Sequence, residues 1–310
     1  MVAYPKELTI AINLVKKASE ITEWFRTEHS SSFTKKDDSP VTLADFASQI
    51  FIISEIRKHF PEDQIIAEEE SGAFLNSNAE EILKRCYSSI QINFRESLKE
   101  TLNYRGPNSH RQWTVDPIDG TKGFQKNLAY AIGIGLMIQS DPMICAIGVP
   151  KYKNTNLTIF SAEKNHGAKV SYGDQNFTKI KVSDSNDIKT SRMCYSLHYN
   201  KPWVLDFAKS LNITNFIPMD SMAKLCMVAE GSAEIYVKPM NIQRSYTWDF
   251  LPGELLVKEA GGTITDIKGN TIKYINEKCM VTAPGLIASN GAIHRDLLAA
   301  LKSSEILKNS

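Results

Sequence analysis

The chain has 310 residues, 42% hydrophobic and 23% charged, which excludes a disordered tail or a low-complexity array and predicts one large or two ordinary folded domains. Thirty-six Lys and Arg against thirty-five Asp and Glu leave a formal charge of +1, which argues against a broad footprint for nucleic acid or an anionic membrane while allowing a local basic pocket. Five scattered cysteines, Cys86, Cys145, Cys194, Cys226 and Cys279, contain no C-x-x-C pair, so the expectation is free thiols in a reducing compartment, the cytoplasm.

Pro5, Lys6 and Glu7 stand where a signal peptide would need its apolar core, so secretion is not expected. Leu8, Ile12, Val15, Ile21 and Phe25, then Leu43, Phe46, Ile50 and Ile53, recur near helical spacing and predict two amphipathic helices. A third helix is expected from about Ala79 to Leu102, where Ile82, Cys86, Ile90, Phe94, Leu98 and Leu102 fall every four residues. From Trp113 the pattern changes to short β-rich runs at 113–115, 128–138, 143–149, 156–161, 168–171 and 177–182, which predict a mostly antiparallel sheet joined by hairpins. The run from Leu128 to Ile138 falls far short of the ~20 residues of a spanning helix and is interrupted by Gly133 and Gly135, so no membrane segment is expected.

Beyond 183–190, strand-like and helix-like segments alternate: strand 192–197, helix 203–211, strand 215–218, helix 221–230, strand 233–237, helix 250–260, strands 263–266 and 286–289, and helix 291–302. This alternation predicts a second, α/β layer and a boundary near residue 185. The expected organisation is an N-terminal α+β domain, 1–185, and a C-terminal α/β domain, 186–310.

The sharpest motif is Trp113-Thr114-Val115-Asp116-Pro117-Ile118-Asp119-Gly120-Thr121, a β-like run ending in two carboxylates, then Gly and Thr. Pro117 fixes a backbone angle and Gly120 permits a tight turn, so both carboxylates can converge at the strand end. Convergent carboxylates repel unless a cation joins them, and hard oxygen ligands favour Mg²⁺. Gly120 and Thr121 then offer backbone N–H groups at a helix start, a natural seat for a phosphate. An ordinary Asp-rich turn is the alternative. Two further acidic features stand at element ends: Glu68-Glu69-Glu70 after the strand-like Ile65-Ile66-Ala67, and Trp248-Asp249 before a helix closed by Gly261-Gly262. Taken singly, the first also reads as a solvated run and the second as a helix cap. Thr42-x-x-Asp45 before an apolar helix has the form of a capping box.

Asp116-Pro117-Ile118-Asp119-Gly120-Thr121, Ala67-Glu68-Glu69, and Trp248-Asp249 with Glu259-Ala260-Gly261-Gly262 resemble, in order and spacing, the lithium-sensitive, magnesium-dependent inositol monophosphatase superfamily. The resemblance covers nearly the whole chain and implies a layered αβαβα sugar-phosphatase sandwich. Lys122-Gly123-Phe124, Ser39-Pro40-Val41-Thr42-Leu43-Ala44-Asp45-Phe46-Ala47-Ser48-Gln49, and Asp220-Ser221-Met222-Ala223-Lys224-Leu225-Cys226 with Ala229-Glu230-Gly231 resemble its 3'(2'),5'-bisphosphate nucleotidase branch.

That resemblance implies one Mg²⁺ on Glu68, Asp116 and the Ile118 carbonyl, a second on Asp116, Asp119 and Asp249, and in some members a third near Glu68, with Li⁺ as inhibitor. It implies that Asp45 and Thr121 orient and deprotonate the attacking water, which leaves the capping box as the competing role for Asp45. It implies substrate binding by Gly120, Thr121, Ser221, Lys224 and Lys238, and by His198, for which a structural role stands beside the binding one. His29, His59, His110, His166 and His294 show no ligand spacing and are expected at the surface.

The activity implied is removal of the 3'-phosphate of adenosine 3',5'-bisphosphate by in-line attack of metal-activated water. 3'-Phosphoadenosine 5'-phosphosulfate (PAPS) and inositol 1,4-bisphosphate are further candidate substrates. Inositol polyphosphate 1-phosphatase or inositol monophosphatase activity is the neighbouring alternative, and a non-catalytic phosphonucleotide sensor the alternative of another class. The expected partners are small molecules, with no nucleic acid and no membrane, and the chain is expected as a monomer or weak dimer.

Overall fold

The computed structural model describes residues 3–28, 32–34, 40–70, 76–198, 202–239, 245–275, 280–281 and 285–303. His29, Ser39 and Cys279 lie outside them. In chain order the first half runs α1 (Pro5–Glu28), β1 (Ser32–Thr34), β2 (Pro40–Thr42), α2 (Leu43–His59), β3 (Gln64–Ala67), α3 (Ser77–Ser89), α4 (Leu98–Asn103), β4 (Arg111–Asp119), α5 (Thr121–Gln125), β5 (Ala131–Ile138), β6 (Asp141–Pro150), β7 (Leu157–Glu163), β8 (Gly167–Tyr172) and β9 (Thr178–Ile180). The second half runs β10 (Arg192–Tyr195), α6 (Pro202–Ser210), β11 (Asn215–Pro218), α7 (Ala223–Ala229), β12 (Ile235–Pro239), α8 (Thr247–Glu259), β13 (Thr263–Asp266), β14 (Tyr274–Ile275), β15 (Met280–Val281), β16 (Gly285–Ser289) and α9 (His294–Ser303).

Strands β3 to β9 form one sheet in sequence order, antiparallel except for the parallel pair β3 and β4. A second sheet has the order β11-β10-β12-β16-β13, parallel across β11, β10 and β12 and antiparallel beyond. Strand periodicity sorts the side chains into layers. On β5, Ile132, Ile134 and Leu136 join a core with α1 and α2, whereas Ala131 and Met137 face the opposite core, built with α7 and α8. On β12, Tyr236 points into that same middle layer while Ile235 and Val237 pack under α6 and α9. The result is the five-layer αβαβα sandwich. Among the described residues no helix is long and apolar enough to cross a membrane.

Two expectations about helices are corrected. The helix expected over 79–102 is two helices, because α3 closes in a Schellman turn: Gln91 takes φ 60, its N–H reaches the Ser88 carbonyl, and the Ile92 N–H reaches the Tyr87 carbonyl at 2.7 Å. Ser97 then caps α4, its Oγ accepting from the Glu100 N–H. Ile90 and Phe94 still pack on the core from the link between them, which is why the four-residue spacing outlasts the helix. Helix α2 is not amphipathic over its first three turns: Leu43 to Ile53 are all buried, between the first sheet and its neighbours α1 and α4.

The Gly261-Gly262 pair closes α8 by the same device. Gly261 takes φ +88, and the Gly262 N–H returns to the Val257 carbonyl at 2.9 Å. A Cβ on Gly262 would lie 2.7 Å from the Ser289 carbonyl oxygen and 2.8 Å from Val257 Cγ1. Gly262→Ala is therefore expected to destabilise the protein by about 1–3 kcal/mol through overpacking, read as a lower urea midpoint at constant m-value. An unchanged midpoint would contradict this packing.

Candidate metal centre and its surroundings

Asp116 and Asp119 sit three residues apart on β4, and in a regular strand an odd separation points side chains to opposite faces. The structure reverses that parity with a bulge. Asp116 pairs with Gly133 and Asp119 with Ala131, so Pro117 and Ile118 together oppose a single residue. Both carboxylates thereby share the face that looks toward α8. Asp249, in the first turn of α8, meets them there, with carboxylate oxygens of all three within 4.8 Å of one another. Asp249 is the third residue of α8 and Tyr246 is the cap, so its charge complements the helix dipole without serving as the N-cap.

Glu68 follows β3, which runs parallel beside β4, and its N–H donates to the Val115 carbonyl at 3.2 Å. Its carboxylate reaches Asp116. The Glu68-Glu69-Glu70 run is not a solvated segment: Glu69 is buried and only Glu70 is exposed. Gln49, one helical turn after Asp45, clamps the Glu69 backbone, donating to its carbonyl at 2.7 Å and accepting from its N–H at 2.8 Å. Gln49 ends the Ser39–Gln49 motif of the resemblance, which by itself implies no role for it, although its i+4 spacing from Asp45 places it on the same helix face.

Burial and the charges of Glu68, Asp119 and Asp249 hold the Asp116 carboxyl well above the ordinary carboxylate range. Burial and Asp249 push Asp119 up to about 6, against the opposing pull of Lys238 and Lys224. The Asp116 Oδ1 atom is buried and accepts no hydrogen bond. An acceptor left bare among like charges, in a cluster whose ligand atoms are carboxylate oxygens, fits a hard divalent cation.

Asp45 is fully buried, and its two oxygens meet different residues. Its Oδ2 accepts from the Thr42 N–H at 2.7 Å and the Thr42 hydroxyl at 2.6 Å, which is the capping contact. Its Oδ1 accepts from the Thr121 hydroxyl at 3.4 Å, and that hydroxyl also lies 3.2 Å from the Ile118 carbonyl. Thr121 opens α5, and Gly120 caps it in the left-handed region with φ 91.

The bed beside this cluster comes from the second half. The Met222 N–H donates to the Asp119 carboxylate, and Ser221, with φ +64, packs so close that a Cβ on Gly120 would lie 3.2 Å from its own. Lys224 is buried, its ammonium 5.2 Å from the Tyr236 ring centre, and burial pulls its pKa down to about 8 although Asp119 opposes the change. Lys238 lies 4.3 Å from the Phe250 ring centre. His198 is held by Asp220, its Nδ1 2.6 Å from Oδ2, and its Nε2 is 3.0 Å from Lys126 Nζ. Asp220 also accepts from the Leu197 N–H and the Ser196 hydroxyl, so it organises the whole 196–198 segment. Neither Asp220 nor Lys126 was assigned a role from sequence, since nothing in their spacing joins residues so far apart in the chain.

His294 corrects the expectation that the remaining histidines lie at the surface. It is buried at the start of α9, with Nδ1 2.9 Å from Ser289 Oγ and Nε2 3.0 Å from Thr265 Oγ1, and burial pulls its pKa down to about 4.

Residues 5–305 match the inositol monophosphatase family. The chain belongs to that family. The family is metal-dependent. Among its relatives are the 3'(2'),5'-bisphosphate nucleotidases of Emericella nidulans, 31% identical over 97% of this chain and 98% of that one, and of Schizosaccharomyces pombe, 30% identical over 96% and 95%. Similar solved structures include the inositol monophosphatase of Anabaena, TM-score 0.69 at 22% identity over 98% of each chain. The extragenic suppressor protein suhB of Bartonella henselae superposes with TM-score 0.72 at 20% identity, over 96% of this chain and 99% of that one. At these identities the superpositions establish the fold.

A carboxyl whose pKa is raised on folding favours the folded state at acid pH and costs stability once the pH climbs through the raised value. Without metal, Asp119 therefore destabilises the protein as pH rises through about 6, and a cation that pairs with the cluster removes that cost. Saturating Mg²⁺ is expected to raise the thermal midpoint by ~3 °C or more near pH 7.5 and by less than ~1 °C near pH 5. Equal shifts at both values would contradict the coupling.

Proposed function

We propose that the chain is a Mg²⁺-dependent 3'(2'),5'-bisphosphate nucleotidase that converts adenosine 3',5'-bisphosphate and water to AMP and phosphate. PAPS and inositol 1,4-bisphosphate are secondary substrates in this reading. The observation that carries it is the meeting of Asp116, Asp119 and Asp249 around one point, with the Thr121–Asp45 contact at the end of the same strand. The near full-length similarity to curated nucleotidases supports the choice of substrate.

Glu68, Asp116, Asp119, Asp249 and the Ile118 carbonyl would hold the metal, shared between two sites or three. Bound there, Mg²⁺ supplies Lewis acidity toward the phosphoryl oxygens and lowers the pKa of a nearby water, and Li⁺ competes for the same oxygen donors.

The protein's own groups then have separable tasks. The Thr121 hydroxyl accepts the proton of the attacking water as its own proton passes to Asp45 Oδ1. The Thr42 contacts fix the other Asp45 oxygen, so the carboxylate faces Thr121 without a search over rotamers. The first turn of α5 presents N–H groups that have no partner within the helix, suited to the reacting phosphate. Ser221, Lys224 and Lys238 bind the second phosphate, and His198, fixed by Asp220, contacts the nucleoside. Lys224 keeps most of its charge at neutral pH, because its pKa of about 8 lies above it. The cytoplasm is the compartment this reading assigns, where the described cysteines, all buried, remain thiols.

Thr121→Ala is expected to lower kcat by ~10²–10⁴-fold, and Thr121→Ser to stay within about tenfold of wild type. Loss of equal size in both variants would show that the hydroxyl is not the relay. The substrate choice is tested by phosphate release from adenosine 3',5'-bisphosphate, inositol 1,4-bisphosphate and inositol 1-phosphate side by side, with and without Li⁺. The reading predicts the highest kcat/KM for the adenosine compound and inhibition by Li⁺. A higher kcat/KM for inositol 1-phosphate, or binding of the adenosine compound with no phosphate released, would overturn it.

A further inference from the structure

Helix α7 is clamped at both ends. At its start, Met222 and Ser221 press on Asp119 and Gly120, as described above. At its end, Glu230 carries a carboxylate whose side chain is only 2% exposed. Four donors from three separate segments converge on it. Oε1 accepts from the Tyr152 hydroxyl at 2.5 Å, the Ser232 hydroxyl at 2.5 Å and the Lys153 ammonium at 2.6 Å, and Oε2 accepts from the Tyr172 hydroxyl. The Lys153 ammonium also lies 5.4 Å from the Tyr152 ring centre and 5.5 Å from that of Tyr172.

Two features make this an improbable way to build mere stability. A carboxylate at the C-terminal end of a helix faces the negative pole of the dipole, and a buried ion pair gains little over apolar packing of the same volume. The turn that delivers Lys153, between β6 and β7, also holds Lys151, Lys153 and Asn154 in the left-handed region, at φ 59, 49 and 61. Strain of that kind persists only where the surroundings over-determine it. Although burial alone would raise the Glu230 pKa, its hydrogen bonds from Lys153, Ser232, Tyr152 and Tyr172 hold it below the ordinary carboxylate range, so the charge persists. The consequence is geometric. The cluster ties the C-terminal end of α7 to the first sheet, and α7 leans on α8 so closely that a Cβ on Gly253 would lie 2.2 Å from Leu225 Cδ1. An axial shift of α7 would break these contacts at its far end and flank, and it would carry with it Lys224 on the helix and Ser221 just before it.

We infer that Glu230 is a positioning residue, which with Lys153, Tyr152 and Tyr172 sets the axial position of α7 and so the grip of Ser221 and Lys224 on the substrate's second phosphate. This rests on the nucleotidase reading for the identity of that phosphate, and a direct binding measurement separates the two. Calorimetric titration with AMP, which retains the second phosphate, is compared with titration by inorganic phosphate, which reports the reacting-phosphate position, both with Mg²⁺ present. Glu230→Gln keeps the volume but loses the charge that meets Lys153 and replaces one acceptor oxygen by an NH2 donor, so one hydroxyl partner has to accept instead of donate. It is expected to raise the Kd for AMP about tenfold while the Kd for phosphate stays within about threefold. Tyr172→Phe, a milder change, moves the AMP value in the same direction by a smaller factor. Asp63→Asn, which leaves one acceptor oxygen for the two donors Arg111 and Trp113 and so loses one of those contacts elsewhere in the first half, lowers the thermal midpoint and leaves the ratio of the two Kd values at wild type.

Equal weakening of both ligands in Glu230→Gln and Tyr172→Phe, or no weakening of either, overturns the positioning role. A wild type that binds AMP but releases no phosphate from adenosine 3',5'-bisphosphate overturns the enzymatic reading alone. A wild type that binds no AMP overturns both.

Discussion

Carboxylates crowd against one another at the end of β4, where Asp116 is buried and its acidic neighbours are only partly exposed, and the rest of the molecule is arranged around that repulsion. Asp116 is buried, bears an acceptor atom with no donor, and faces three other acids. A cluster of this kind is a liability in an ordinary core, because each added negative charge raises the cost of the next. It becomes an asset where a divalent cation replaces the missing donors. The two lysines that bear on Asp119 soften the repulsion without entering the cluster as partners, and burial has already drawn one of them toward neutrality.

Bringing the acids together draws on both sheets. The bulge at Pro117 and Ile118 turns two side chains that a regular strand would separate toward one face. Glycines on β5 then let the helical layer descend onto that face: a Cβ on Gly133 would lie 2.6 Å from Met222 Cε, and one on Gly135 would lie 2.4 Å from Leu251 Cδ2. Met222 introduces the helix whose backbone grips Asp119, and Leu251 lies on the helix that carries Asp249. The same two glycines that interrupt the apolar run in the sequence therefore admit the second half of the chain to the site. Any account of catalysis here has to treat α7 and α8 as part of the first sheet's surface.

Much of this was legible in the sequence, and the exceptions share a cause. The β-rich runs and the alternation after residue 190 named the strands and most helices because each rests on local periodicity. The acids stood out because Pro117, Gly120 and Thr121 mark a turn whatever surrounds it. The end of α3 was hidden because a glutamine, Gln91, takes the left-handed position that glycine usually signals. The burial of His294 and the roles of Gln49, Asp220 and Glu230 depend on partners far along the chain, and no spacing rule reports those. Asp45 is the instructive case: the sequence sets helix capping and activation of water against each other as roles, and in the structure the cap occupies Oδ2 while Oδ1 lies by the Thr121 hydroxyl, so the first role does not exclude the second.

The central claim is that these carboxylates meet in order to share divalent metal. Anomalous diffraction from crystals soaked in Mn²⁺ tests it most directly. The account predicts a manganese peak about 2.1–2.3 Å from Asp116 Oδ1, with oxygens of Asp119 and Asp249 in the same coordination shell. A crystal that takes up Mn²⁺ elsewhere and leaves Asp116, Asp119 and Asp249 bare would contradict it.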